Sequence, residues 1–275
     1  MTVTEQSDYI VELDRWRREK DIILSAPDGW LSLVGLWWLN DGSNTVGASD
    51  NSDVQLEGTN IPAQLGMLEL SDGRVTLHVE ADVPVAVDGV HTREAVLRPD
   101  TDPEGASQVN LGTVTFFVIE RSGSYAIRVR DSENPARLSF EGRRWFPVDS
   151  TAVVTGIFQP HETPRTLEIV TSAGNTQVMT NPGSVEFALN GQMHRLEAFD
   201  ASGDQIWFVF KDATSGRSTY GAGRFLYASL SADGAVVLDF NRAYHPPCAF
   251  THFAACPLGP KGNTLSVEVL AGERL

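Results

Sequence analysis

The chain is poor in cysteine, in positive charge and in long apolar runs. Two cysteines in 275 residues exclude the dense disulfide framework of small secreted domains. No apolar run approaches the roughly 18 residues of a membrane-spanning helix, and the first 20 residues lack the basic start and apolar core of a signal peptide. We therefore expect a cytoplasmic protein with no membrane partner.

The scarcity of positive charge also restricts the partners. The chain has 21 lysines and arginines against 36 acidic residues, a formal charge of -15. Such a balance opposes sequence-independent binding to phosphate backbones, so we expect no nucleic-acid partner. With 41% hydrophobic residues the chain can bury a proper core, and its length suits one large or two smaller domains.

One helix is predicted, in an N-terminal arm covering residues 1–29. Ser7 or Asp8 can cap a segment that places Leu13, Trp16 and Leu24 on one apolar face before the Pro-Asp-Gly sequence at 27–29 stops it. The apolar segment at 30–39 is too short to span a bilayer, and we interpret it as buried chain.

Residues 30–131 are predicted to form a β-sandwich, because short alternating segments recur between turn residues. The order of TVGA at 45–48, VAVDG at 85–89 and QVNLG at 108–112 resembles a forkhead-associated domain. The resemblance implies the sandwich fold. It does not imply phosphothreonine binding, since Ala48 stands where that family has its arginine and Asp88 departs from its Asn-Gly turn.

Residues 132–275 are predicted to form a second domain, an antiparallel β-barrel or strongly curved sheet. Its short strands are separated by the turn signals AGN at 173–175, NPG at 181–183 and NG at 190–191. Barrels of this kind commonly hold a ligand at the mouth or on one face. The predicted fold class is therefore all-β with a helical arm.

Several segments together resemble one family over nearly the whole chain. They are GWL at 29–31, RSGSYAIRVRD at 121–131, WFPVD at 145–149, residues 212–224, residues 239–258 and AGE at 271–273. They are similar to the bacterial and archaeal domain-of-unknown-function family sixteen-eighty-four. That resemblance implies relatives and supplies no mechanism.

The C-terminal segment concentrates residues that carry chemistry. His245, Cys248, His252 and Cys256 are residue types suited to tetrahedral zinc, but Cys-x-x-Cys knuckles are missing. We expect both cysteines to be reduced and free of metal, with no cofactor, although a Cys248–Cys256 disulfide stays an alternative.

Two other functional classes stay open. A hydrolase would use a thiol–imidazole pair in the segment from Asp239 to Cys256, although no Gly-x-Ser-x-Gly elbow occurs. A structural or interaction protein would instead use the sandwich as its working surface. Neither class has a complete sequence signature.

The preferred hypothesis is a small polar or anionic ligand bound by the second domain. Arginines are conspicuous in this acidic chain and need a carboxylate or a ligand oxygen as partner. A hairpin around residues 231–234 would bring Arg224 and Asp239 to one face, either as a ligand site or as a purely structural pair. The predicted ligand-binding residues are Tyr220, Arg224, Asp239, Asn241, Tyr244, His245 and Arg144.

Overall fold

The computed structural model divides the described chain into two compact units. It describes residues 3–58, 60–121, 123–200 and 205–275, so the first two residues of the predicted arm lie outside it. The sandwich unit comprises residues 23–140, and the barrel unit comprises the chain up to Ile22 together with residues 141–275. The sequence placed its boundaries after residues 29 and 131, and these stay predictions.

Helix α1 runs from Val3 to Ser25 and belongs to the barrel unit up to Ile22. It begins earlier than the predicted cap at Ser7 or Asp8, because the residues before that cap include no glycine or proline to prevent helix formation. Leu13 and Leu24 are buried as expected. The helix stops before Pro27, as the sequence predicted.

Two mainly antiparallel sheets form the sandwich unit. One has the strand order β1-β11-β10-β9-β6-β7 and the other β3-β2-β4-β5-β8. The strands are β1 Leu33–Trp38, β2 Gly42–Gly47, β3 Val54–Gln55, β4 Gly66–Ser71, β5 Arg74–Val79, β6 Ala86–Val87, β7 Val90–His91, β8 Glu94–Leu97, β9 Val109–Leu111, β10 Val114–Arg121 and β11 Ser124–Asp131.

Alternation along these strands explains the sandwich core. Strand β4 alternates buried and exposed side chains along its whole length, which is the pattern of a sheet with one covered face. Inward side chains from both sheets pack together, among them Leu68, Leu77, Phe116, Ile127 and Val129. The predicted β-sandwich is thereby confirmed.

Helix α2, Pro135–Leu138, closes the sandwich unit beyond the boundary expected at residue 131. The Asn134 side chain caps α2 by accepting from the Ala136 N–H. Its amide also donates to the carbonyls of Leu31 and Leu33. These long-range hydrogen bonds hold the α2 segment in the sandwich unit.

The barrel unit is built on one long, curled sheet with the strand order β17-β16-β15-β14-β13-β18. Its two ends meet at a bridge between Leu230 and Val236, so the sheet is a nearly closed barrel. The strands are β12 Arg144–Trp145, β13 Val153–Val170, β14 Thr176–Leu189, β15 Gln192–Asp200, β16 Gln205–Phe210, β17 Arg224–Ser229, β18 Ala235–Asp239 and β19 Glu273–Arg274. Strands β12 and β19 form a separate pair.

The turn predicted at residues 181–183 does not form, and β14 runs through it. The β13–β14 ladder is irregular at this point, where the register shifts between Pro160 and Arg165. Such an irregularity accepts a proline that cannot donate a ladder hydrogen bond. The Asn181 side chain donates to the carbonyls of Gly183 and Ala198, so it stabilises the bulge instead of a turn.

The predicted turn at residues 231–234 does form, but it does not pair Arg224 with Asp239. Ser231 N–H donates to the Ala235 carbonyl, which closes the turn. Beyond it, Arg224 pairs across the ladder with Phe210 of β16, and Asp239 pairs with Val153 of β13. Barrel curvature separates the two chain segments soon after the turn.

Within the described residues, no helix combines the length and apolar character needed to cross a membrane.

Candidate functional site

The structure distributes the predicted ligand-binding residues over several places in the barrel unit. Tyr220, Tyr244 and His245 lie together, with 6.1 Å between the Tyr220 and His245 ring centroids and Tyr244 adjacent to His245 in the chain. Asp239 and Asn241 form a second group, and Arg224 lies in a third. Arg144 is exposed in β12 and shares a backbone ladder with Arg274.

Arg224 is a buried structural arginine whose partner is Asp212, so the expected pair with Asp239 is wrong. Its side chain is 1% exposed and that of Asp212 is 0% exposed, with 2.7 Å between Nη2 and Oδ2. The guanidinium also donates to the carbonyls of Val269 and Ala271. This donor is used within the fold, as expected for a buried arginine that is fully paired.

Asp239 and Asn241 hold helix α1 and a loop. Both Asp239 carboxylate oxygens accept from the Tyr9 hydroxyl at 2.9 Å, and Arg242 Nε donates to Oδ2 at 3.2 Å. The Asn241 amide donates to the Asp149 carbonyl and its oxygen accepts from the Asp149 N–H. The polar atoms proposed for a ligand are thus engaged in contacts within the chain.

His245 is held by hydrogen bonds at both ring nitrogens. The Tyr220 N–H donates to Nε2 at 3.1 Å, so Nε2 carries no proton, because a backbone N–H can only donate. The proton is therefore on Nδ1, which lies 3.2 Å from Glu273 Oε1. Neither nitrogen is free to act as a general base, which opposes the hydrolase alternative.

Glu273 is the carboxylate at the centre of this group. Its Oε2 accepts from Arg143 Nη1 and from the His245 N–H, both at 2.7 Å. Arg143 also lies over the rings of Tyr244 and Phe250, at 5.7 and 4.8 Å from their centroids. The network fixes the backbone on which Tyr220 and the following loop are carried.

Helix α1 places an aromatic ring and a cation against Tyr244, and a second cation against Trp145. Trp16 contacts the rings of Trp145 and Tyr244 at centroid distances of 5.8 and 6.0 Å. Lys20 Nζ lies 4.6 Å from the Tyr244 centroid, and Arg17 lies 4.7 Å over Trp145. Burial raises the pKa of Tyr244 and is also the largest cause that lowers the pKa of Lys20.

The two cysteines meet beside this network, and with Ser172 and Tyr220 they form what we term the thiol cluster. Cys248 N–H donates to Cys256 Sγ at 3.3 Å. Ser172 anchors Cys256, because its Oγ accepts from the Cys256 N–H at 3.0 Å. The Tyr220 hydroxyl donates to the Cys248 carbonyl at 2.9 Å. Cys256 is buried, whereas Cys248 is partly exposed.

The thiol cluster stabilises a thiolate at Cys248. A hydrogen bond from Cys256 is the largest cause that lowers the pKa of Cys248 to about 6 from its ordinary value of 9.0, against the opposing effect of burial. Hydrogen bonds from Ser172 and Tyr220 act in the same direction. Burial, followed by the Cys248 charge, raises the pKa of Tyr220 to about 12.

A metal centre is not assembled from these side chains. Across residues 3–58, 60–121, 123–200 and 205–275, no group of three or more His, Cys, Asp or Glu could hold a metal ion. His252 is exposed, and His245 is already bonded at both nitrogens. A tetrahedral zinc site would need four converging donors.

Sequence reasoning did not single out Asp212, Glu273, Arg143 or Ser172, which hold these networks together. A signal existed for two of them, because Asp212 and Glu273 fall within the family segments 212–224 and 271–273. Ser172 carried no signal, since it lies 84 residues from Cys256 in sequence. Only the barrel brings the two residues together.

The family model matches the C-terminal part of the chain, which makes up most of the barrel unit. Residues 138–274 match the family model described as a protein of unknown function, DUF1684. None of the curated proteins compared with the chain matches it.

Solved structures are similar to parts of the chain. One is the solution NMR structure of the uncharacterized protein from gene locus rrnAC0354 of Haloarcula marismortui, 33% identical, covering 50% of this chain and 79% of that one, with a TM-score of 0.44. An FHA domain from a study of phosphothreonine-dependent interactions is 17% identical over 34% of this chain and 92% of its own, with a TM-score of 0.25. The FhaA FHA domain is also 17% identical. The match covers 34% of this chain and 97% of that domain, with a TM-score of 0.24.

Proposed function

The chain belongs to the family described as a protein of unknown function, DUF1684, and we propose that its barrel unit reduces small peroxides through Cys248. In this proposal the small polar molecule expected from the sequence is the peroxide. Cys256 is the second thiol, which converts the oxidised Cys248 into a disulfide. The thiol cluster supports thiol chemistry better than hydrolysis, because His245 offers no free base beside either cysteine.

The contact between the two cysteines carries the proposal. Cys256 Sγ accepts a hydrogen bond from the Cys248 N–H at 3.3 Å. Ser172 Oγ accepts from the Cys256 N–H, next to the isolated β-bridge between Thr171 and Pro257. Cys248 is the partly exposed thiol and Cys256 the buried one. A peroxide from solvent would therefore meet Cys248 first, with the second thiol already next to it.

The chemistry balances with two thiols and one peroxide. The Cys248 thiolate attacks one peroxide oxygen, the O–O bond breaks, and the leaving alkoxide or hydroxide takes a proton, which leaves Cys248 as a sulfenic acid. Cys256 sulfur then attacks the Cys248 sulfur, the S–O bond breaks and water leaves. The cysteines lose two electrons, the peroxide gains them, and an external dithiol reduces the disulfide again.

We expect Cys248 to be mostly thiolate at neutral pH. Its ultraviolet thiolate absorbance should titrate with a midpoint near its pKa of about 6. Cys256→Ala should move this midpoint upward, because it removes the largest cause of the lowered pKa. The Cys248→Ser variant supplies the baseline, and a wild-type midpoint near the ordinary value of 9.0 would contradict the expectation.

The decisive experiment compares the two cysteine variants with hydrogen peroxide as the probe. Wild-type protein should form the Cys248–Cys256 disulfide, and at neutral pH its Cys248 should react about tenfold faster than free cysteine because more of it is thiolate. Cys256→Ser should stop at a sulfenic acid that dimedone traps on Cys248. Cys248→Ser should consume no peroxide.

Each variant is first compared with wild type by circular dichroism, so that loss of reactivity is separated from loss of fold. The proposal fails if Cys248→Ser is oxidised as fast as wild type. It also fails if dimedone labels no residue in folded Cys256→Ser. A barrel that resists peroxide entirely would favour the structural alternative for this unit.

A further inference from the structure

In one sheet of the sandwich unit, strands β10 and β11 carry polar side chains on the face turned away from the core. Val114 and Phe116 of β10 and Val129 of β11 point into the core. Because side chains alternate along a strand, their neighbours Thr115 and Arg130 point to the opposite face. They lie directly opposite each other in the β10–β11 ladder.

A cavity of about 300 Å³ opens at this position. Pro27 and Asp28 line one part of it, and the other polar residues that line it come from β9, β10, β11 and the adjoining turns. These residues are Gln108, Asn110, Thr113, Thr115, Arg130 and Ser132. The lining thus combines one cation, Arg130, and one carboxylate, Asp28, with hydroxyl and amide groups.

Among the described residues, Arg130 has an unpartnered donor, whereas two other arginines of this unit each form an ion pair. Arg121 lies 2.7 Å from an Asp100 oxygen, and Arg98 lies 3.1 Å from an Asp88 oxygen. In the part of the chain that the structure describes, Arg130 Nε is buried without a hydrogen-bond partner. A buried guanidinium donor normally finds an acceptor.

The surroundings of Arg130 include an aromatic ring and the charge of Asp28. Its guanidinium lies 4.7 Å over the Phe117 ring, which holds one of its faces. Burial lowers the pKa of Arg130, and the charge of Asp28 opposes that change. Asp28 influences the guanidinium through its charge but is not hydrogen-bonded to Nε, which leaves this buried donor without an acceptor in the described chain.

The neutral side chains of the cavity are already oriented by one another. Thr115 Oγ1 donates to Asn110 Oδ1 at 2.9 Å, and Asn110 Nδ2 donates to the Gln108 carbonyl at 3.2 Å. Gln108 Nε2 donates to the Ala106 carbonyl at 3.0 Å. Each amide nitrogen has two hydrogens, so Asn110 and Gln108 each retain a donor for a ligand.

We propose that this cavity binds a small oxyanion, a carboxylate or a phosphate, with Arg130 as its main donor. A guanidinium fork matches two oxygens of either group, and a partly buried site strengthens such a charge-assisted hydrogen bond. The cavity is distinct from the thiol cluster, which lies in the other unit. Ala48, which stands where forkhead-associated domains have their arginine, does not line it.

The test is a titration of the full chain with inorganic phosphate and, separately, with citrate, followed by NMR at constant ionic strength. Saturable shifts of the Arg130 Nε–H and Asn110 side-chain signals are expected with at least one probe. Phosphate alone would indicate a phosphate ligand, and citrate alone a carboxylate. Arg130→Gln should weaken binding at least about tenfold, because it removes the charge and the fork.

Arg74→Gln is the matched control, since it removes the same charge from an exposed position on β5. Arg130→Lys keeps the charge but loses the fork, and it should bind more weakly than wild type even if Arg130→Gln fails to fold. The proposal is overturned if neither probe gives a saturable shift. It is also overturned if Arg74→Gln weakens binding as much as a folded Arg130 variant does.

Discussion

Asp212→Ala is expected to destabilise the barrel unit by about 3–5 kcal/mol, because it leaves Arg224 as an uncompensated buried charge. Asp212 Oδ2 accepts from Arg224 Nη2 at 2.7 Å and from the Val269 N–H at 3.1 Å. Its Oδ1 accepts from the Thr214 N–H at 2.9 Å. The mutation removes all of these acceptors from a site that water does not reach.

The measurement is urea unfolding read by hydrogen-exchange mass spectrometry on peptides of β16 and β17, which reports on the barrel unit separately. Asp239→Ala is the matched control, because the same change there affects a carboxylate with 13% side-chain exposure. A smaller loss of about 1 kcal/mol is expected there. Equal losses in the two variants would show that the Arg224–Asp212 pair has no special role.

Replacing both partners distinguishes an unpaired charge from lost packing. In Arg224→Met combined with Asp212→Leu, no buried charge remains, so the double variant should be more stable than Asp212→Ala alone. Buried ion pairs replaced by apolar residues of similar volume are often neutral in stability. If the double variant is no more stable, burial of the charge is not the cause of the loss.

Glu273→Ala should produce a second large loss, also about 3–5 kcal/mol, since Glu273 is the shared acceptor of a buried network. Its side chain is 2% exposed and that of Arg143 is 6% exposed. Removing the carboxylate leaves Arg143 and the His245 N–H without their 2.7 Å acceptor. It also releases the ring proton of His245 from its partner.

The neighbouring residue offers a control on the same strand. Arg274 of β19 is exposed, so Arg274→Ala should change the free energy of unfolding by less than about 0.5 kcal/mol. Glu273→Gln keeps one oxygen acceptor and should lie between the two. Thermal unfolding of all three variants checks this order, and a loss in Arg274→Ala as large as that in Glu273→Ala would refute it.

Local patterns predicted much of the fold because they act over a few residues. The alternation in β4 and β5, the apolar face of α1 and the turn at residues 190–191 depend on neighbouring side chains and on backbone preference. Asn190 and Gly191 both have positive φ, as a tight hairpin turn requires. The Asn-Pro-Gly signal at 181–183 was misleading, because the long-range β13–β14 pairing prevailed over a local turn preference.

For the candidate site, the sequence indicated the segment but not the partners of its side chains. The sequence drew attention to the segment from Tyr220 to Cys256, where arginines, tyrosines, histidines and both cysteines are concentrated. It assigned the wrong carboxylate to Arg224, because Asp239 is reached through a short turn while Asp212 is brought close by the β16–β17 register. Which of these two acids pairs with Arg224 depends on which faces of the strands the barrel turns inward.

By itself, then, the amino-acid sequence determined an all-β chain with one helix, a β-sandwich followed by a curved sheet, and an acidic composition with few cysteines. The tertiary structure alone decided that Ser172 meets Cys256 across 84 residues and that Glu273 meets Arg143 across 130. Hydrophobic periodicity and turn chemistry are short-range properties, and they specify elements. Pairing of buried polar groups depends on strand register and barrel closure, which emerge only when distant segments pack together.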